Sequence, residues 1–217
     1  MALITDDGNI KMGARAAWHW AFDPGINSVD MRDVLDHFGV QFSARGADGA
    51  IMAHCEKARI QQVIHNLRIQ HKEAWAWGML AYAPDGTENL NLLRSLLLPY
   101  VFRAVTTAKF NAFMSVQAGQ LAFIAITDAA IEARRADGQR HKRKRADMAG
   151  LLRVDVELYR KEWAPRLYAM KDALKDLDGI CLPRVADVIW LLADKASGDA
   201  LACHDLCETM KTPVEAA

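Results

Sequence analysis

Residues 140–166 read RHKRKRADMAGLLRVDVELYRKEWAPR, and charge, helical period and turn punctuation meet in this stretch. Met148, Leu151 and Leu152 stand at i, i+3 and i+4, the spacing of one apolar face on a short helix from Arg145 to Leu152. Small Ala149 lies where a second helix can approach closely. Arg153-Val154-Asp155 breaks the period. Asp155 suits an N-cap, its carboxylate accepting from an otherwise unpaired backbone N–H at the start of a second helix from Val156 to about Ala164. On that helix Val156, Tyr159 and Trp163 share a face, and Glu157, Arg160, Lys161 and Ala164 take the other.

Two short amphipathic helices across a tight turn make the geometry that lays a second helix into the major groove of double-stranded DNA. Arg143, Lys144 and Arg145 are then expected to hold phosphates, and Glu157, Arg160 and Lys161 to face base edges. Arg166 joins the expected DNA-binding set, while Met148, Leu152, Tyr159 and Trp163 support the hairpin. Charge is segregated accordingly: residues 134–166 hold eleven Lys and Arg against five Asp and Glu, although the whole chain balances at 27 against 27. That matters because non-specific affinity for DNA comes chiefly from phosphate neutralisation. Two positions depart from the usual pattern: Arg153 occupies the turn where Gly is common, and Val156 stands where small polar residues are more frequent. A hairpin of this kind with a solvated basic lead-in also occurs as an ordinary part of an all-α core.

The segment DMAGLLRVDVELYRKEWAPRLYAMKDALKDLD resembles the C-terminal helix-turn-helix and trailing helix of small phage and prophage transcription regulators, including some late-gene antitermination proteins of the Q type. The resemblance rests on Ala149, Leu152, Val154, Tyr159, Arg160, Trp163 and Arg166, and does not extend to the first half of the chain. It implies a regulator that binds promoter-proximal DNA and contacts RNA polymerase. The Cys-rich zinc module of one branch of those antiterminators is absent, which excludes that branch.

Composition sets the remaining bounds. With 217 residues, 52% of them hydrophobic, the chain has ample material for a buried core. MALITDDGNIKM lacks the basic start and apolar run of an export signal. The apolar stretches at 92–105 and 121–131 are interrupted by Arg94, Pro99, Arg103 and Asp128, short of the ~18 residues a membrane span needs. A cytoplasmic protein with no membrane association is therefore expected. Cys55, Cys181, Cys203 and Cys207 show no disulfide framework. Cys203 and Cys207 stand at i, i+4, but no second ligand pair has zinc-finger spacing, so neither a metal nor another cofactor is expected. Adjacent His54, Cys55 and Glu56 diverge around a helix and cannot converge on one site by themselves. No phosphate loop, HExxH or GxSxG sequence occurs, so no catalytic residue is assigned and an enzyme is not expected.

Elsewhere the pattern is helical throughout. Helices are expected at 12–22, ended by Asp23-Pro24-Gly25, and at Val29 to Phe38, followed by a loop at 40–49. Residues 50–78 suit one helix, or two broken near Asn66. A turn at Tyr82 to Thr87 precedes two helices flanking Pro99, and then a long helix ending near 136–138, in which Gly119 marks a break or a close crossing. Pro165 is expected to open a helix ending at Asp178-Gly179, and Pro183 to open another.

The whole is an all-α, multi-helix protein: an N-terminal assembly or protein-contact region (1–110), a connecting helix (111–138), a C-terminal helix-turn-helix unit (139–196) and a tail (197–217). A helical protein-binding adaptor, or an enzyme with an unrecognised site, are the other readings; oligomeric state is left open.

Overall fold

The computed structural model of the chain describes residues 13–23, 47–105, 112–135 and 143–198, with side chains described outside 47–54, 112–115 and 194–198. Every regular element among them is helical: α1 (Ala14–Phe22), α2 (Ala47–Gln70), α3 (Lys72–Tyr82), α4 (Leu90–Arg103), α5 (Ala112–Arg134), α6 (Arg145–Leu152), α7 (Val156–Leu158), a π-helical turn (Tyr159–Trp163) and α8 (Ala164–Gly198). The protein is all-α, as the periodicity predicts. No helix among the described residues is long and apolar enough to cross a membrane. The chain groups into two compact units, one of residues 1–63 with 184–217 and one of residues 64–183.

In the first unit α1 buries Ala17, Trp18, Trp20 and Ala21, so both tryptophans are enclosed although they point to different sides of the helix. Gln61 Nε2 donates to the Ala21 carbonyl at 2.6 Å, and Lys57 Nζ donates to that of Asp23. These bonds satisfy carbonyls at the C-terminal end of α1 that have no partner within the helix, and the ammonium suits the negative end of its dipole. The predicted helix at 29–38 lies outside the described residues. Ala47, Asp48 and Gly49, expected in a loop, instead begin α2. One glycine disfavours a helix by only about 1 kcal/mol, too little to end a segment anchored further along by buried Ile60. Of the two forms open to residues 50–78, the chain takes the broken one, with the break at His71 (φ −142°, ψ 68°) and not near Asn66.

In the second unit α3, α4 and α5 pack against one another. Every residue of α3 from Ala74 to Tyr82 is buried. The turn that follows is the predicted one, with Gly86 at φ 84° and Thr87 Oγ1 donating to the Pro84 carbonyl at 2.7 Å. Asn89 then caps α4, its Oδ1 accepting from Asn91 N–H at 2.9 Å.

Pro99 does not divide α4 as expected; the helix runs through it. Pro99 and Ser95 are both exposed, so the carbonyl that loses its N–H partner is open to solvent, while Leu93, Leu97 and Val101 hold the opposite face in the core. Gly119 marks neither a break nor a crossing that requires glycine: α5 is continuous, and a Cβ there would stand 3.9 Å from Phe102 Cζ, an ordinary contact distance. At the end of α5 the Arg134 guanidinium pairs with Asp85 and donates to the Leu80 carbonyl at 2.9 Å, tying this end to the turn after α3.

The two helices expected on either side of Asp178-Gly179 are a single one, α8. The buried residues Leu167, Met170, Leu174, Leu177, Cys181, Val185 and Ile189 recur every three or four positions straight through the predicted stop. Pro183 and Gly179, four residues before it, are both exposed, so here too solvent accepts the lost backbone bond. Within the second unit, Asp178 Oδ1 accepts from Trp77 Nε1 and Tyr82 OH, each at 2.6 Å, which fastens α8 to α3.

Candidate nucleic-acid interface

Residues 145–163 form α6, a tight turn and a second arm made of α7 and the π turn. On α6 Met148, Ala149 and Leu152 are buried, whereas Leu151, predicted on the same face, is 51% exposed. The buried face is narrower than the i, i+3, i+4 pattern suggested. Buried Gln117 on α5 donates through Nε2 to the Leu152 carbonyl at 2.6 Å, occupying an acceptor that the end of α6 leaves open.

The chain reverses at Arg153, which adopts φ 54°, ψ 46°. Val154 N–H bonds to the Ala149 carbonyl at 3.0 Å and Arg153 N–H to that of Gly150 at 3.1 Å, the paired bonds of a Schellman stop. An exposed arginine in this left-handed conformation costs roughly 1 kcal/mol. Arg153→Gly is therefore expected to raise unfolding stability by about 0.5–1 kcal/mol in urea denaturation; a loss of stability would show that the side chain holds the turn in another way.

Asp155 is the predicted N-cap, its Oδ1 accepting from Leu158 N–H at 2.8 Å. The second arm does not stop at Ala164. After α7 the backbone widens into the π turn, with Ala164 N–H bonded to the Tyr159 carbonyl five residues back, and continues directly into α8. The wider turn passes Pro165, which has no N–H for the regular ladder, without ending the helix. It leaves Tyr159 and Trp163 both buried. Burial pushes the Tyr159 phenol above its ordinary pKa, Tyr168 and Asp128 add to the rise, and Arg145 opposes it.

Glu157, Arg160 and Lys161 are exposed on the opposite side. Arg160 pairs with Glu157 at 2.9 Å, a surface contact that water and salt readily replace. Lys144, Arg145 and Lys161 are exposed and make no ion pair among the described residues. The other two predicted contacts are differently engaged. Arg143 directs Nε and Nη2 onto Asp128 at 2.9–3.1 Å, and that carboxylate is only 1% exposed. Its hydrogen bond to Asp128 raises the Arg143 pKa further. Lys171 Nζ lies 3.9 Å from Asp128 and donates to Glu132 at 2.8 Å, which completes a network of four charges. Arg166 rests over the Trp163 ring, 5.0 Å from its centroid, and pairs with Glu162 at 3.6 Å. Arg140, His141 and Lys142 lie outside the described residues.

Gln117, Glu132 and Lys171 carry no local signal of these roles. Asp128 carries one, as a lone acid in an otherwise uncharged apolar run on α5. Among the described residues no group of three or more His, Cys, Asp or Glu could hold a metal ion; the pair Cys203 and Cys207 lies outside them. Comparison of the chain with protein families, curated protein sequences and solved structures gives no match.

Proposed function

We propose that the chain is a DNA-binding transcription regulator of phage or prophage type, meeting duplex DNA with the 145–163 hairpin. One observation carries this reading: the second arm buries Tyr159 and Trp163 and turns Glu157, Arg160 and Lys161 to solvent. Lys144, Arg145 and Lys161 are the phosphate contacts. Arg160, exposed and held by Glu157, is placed to read a base edge, and the O6 and N7 acceptors of guanine suit its forked donors. Arg143 and Arg166 are given a supporting duty, since their guanidinium groups already lie against Asp128 and Trp163.

The test is Arg160→Ala combined with Lys161→Ala in a gel-retardation assay. Loss of Lys161 is expected to lower the slope of log K against log[salt] by about one unit, and loss of Arg160 to reduce discrimination against a mismatched base by about 1–3 kcal/mol. Unaltered retardation would remove these roles.

A second reading, a protein-binding adaptor, is favoured by three exposed apolar side chains around the turn, Leu151, Val156 and Leu158. In an antiterminator this corner is where RNA polymerase would be met. A pure adaptor would bind random duplex weakly and without steep salt loss.

A further inference from the structure

A cleft of about 790 Å³ opens beside the second arm, between α5, the start of α6 and the first turns of α8. Its size is that of small-molecule sites, about 300–1,000 Å³. The floor is electrically satisfied, with Arg143 on Asp128 and Lys171 on Glu132. At the rim Lys175 is answered by Asp172 at 3.1 Å. Two lining cations remain available: Arg145 makes no ion pair among the described residues, and the partner of Arg160, Glu157, is exposed and lies outside the cleft lining. Tyr168, 57% exposed, and Pro165 contribute flat apolar surface to the same lining.

Carboxylates already neutralised cannot recruit a cation, whereas two guanidinium forks match the oxygens of a phosphate. An exposed aromatic face beside them suits stacking of a planar heterocycle. We propose that this cleft binds a phosphate ester of nucleotide size, its dianion on Arg145 and Arg160 and its base against Tyr168. The occupant is a free mononucleotide or the 5′-phosphorylated end of a nucleic-acid strand, which share this chemistry. Binding itself does not depend on the regulator reading. One consequence does: an occupant engages two guanidinium groups of the face assigned to duplex DNA, so nucleotide and duplex compete.

The experiment is calorimetric titration of the full chain, at constant ionic strength, with adenosine 5′-monophosphate, inorganic phosphate and adenosine. The nucleotide is expected to saturate at least about tenfold more tightly than either fragment, because charge and stacking act together. Arg145→Ala should weaken it about tenfold or more. Tyr168→Ala should weaken the nucleotide and leave inorganic phosphate unchanged, while Lys72→Ala, outside both the cleft and the hairpin, should change neither. All three side chains are exposed, and circular dichroism verifies that the variants are folded. A 5′-phosphorylated single strand that binds as tightly as the mononucleotide, where its 5′-hydroxyl counterpart does not, identifies a strand end as occupant; selective binding of the mononucleotide identifies the free ligand. A nucleotide no tighter than phosphate, or indifferent to both cleft variants, overturns the proposal. If duplex binding is absent and nucleotide binding persists, the regulator reading fails and the cleft assignment stands.

Discussion

Asp128→Ala is expected to lower unfolding stability by about 3 kcal/mol or more. The carboxylate is 1% exposed and receives three hydrogen-bond contacts from Arg143, with Lys171 3.9 Å away. Removing it leaves Lys171, itself buried, with Glu132 as its remaining counter-charge, and frees Arg143 from its seat. The cost arises mainly from a charge that stays buried with less compensation, not from the strength of one ion pair. Arg143→Ala should therefore be costly as well, because buried Asp128 then loses its nearest counter-charge. Asp128→Leu combined with Arg143→Leu should cost less than the sum of the single changes, with a coupling of about 1–3 kcal/mol in a double-mutant cycle. Additive losses would mean that the two side chains act independently. The change also bears on function, since Arg143 immediately precedes the exposed cations Lys144 and Arg145. Releasing it should loosen the start of α6 and weaken duplex binding.

Asp178→Ala is the second large loss, about 2–4 kcal/mol. A single oxygen accepts from both Trp77 and Tyr82, whose side chains are 2% and 5% exposed. Without it, the Trp77 indole N–H and the Tyr82 phenol O–H each lose this buried acceptor. Asp178→Asn keeps an oxygen in place and gives up only the charge, so it should cost roughly 1 kcal/mol. Equal effects of the two changes in urea denaturation would show that charge rather than hydrogen bonding fastens α8 to α3.

Both residues show where sequence reading stops. The apolar stripe at the start of α8, the turn at Pro84 to Thr87 and the Asp155 cap were legible because each depends on residues a few positions apart. Asp178 meets Trp77 from 101 positions away, and no local spacing announces such a partner. The prolines misled for a physical reason. Pro99 and Pro183 lie on exposed helix faces, where the missing hydrogen bond falls to water and the buried stripe holds the helix together. Pro165 is passed by a π turn that no sequence pattern foretold. Arg153 is an unusual residue for such a turn, and its left-handed backbone shows that the Schellman bonds on either side of it prevail over side-chain preference. Of the site, the exposure of Glu157, Arg160 and Lys161 was legible from the helical period, but Val156, which that period puts beside Tyr159 and Trp163, is 45% exposed, and the seat of Arg143 depends on how α5 packs beside the hairpin.

The most direct test of the account is the salt dependence of wild-type binding to random duplex DNA, measured from about 50 to about 200 mM salt. Three phosphate contacts, from Lys144, Arg145 and Lys161, predict a slope near −3 in log K against log[salt]. A flat dependence, or no binding at the lowest salt, would contradict the assignment of the hairpin to DNA.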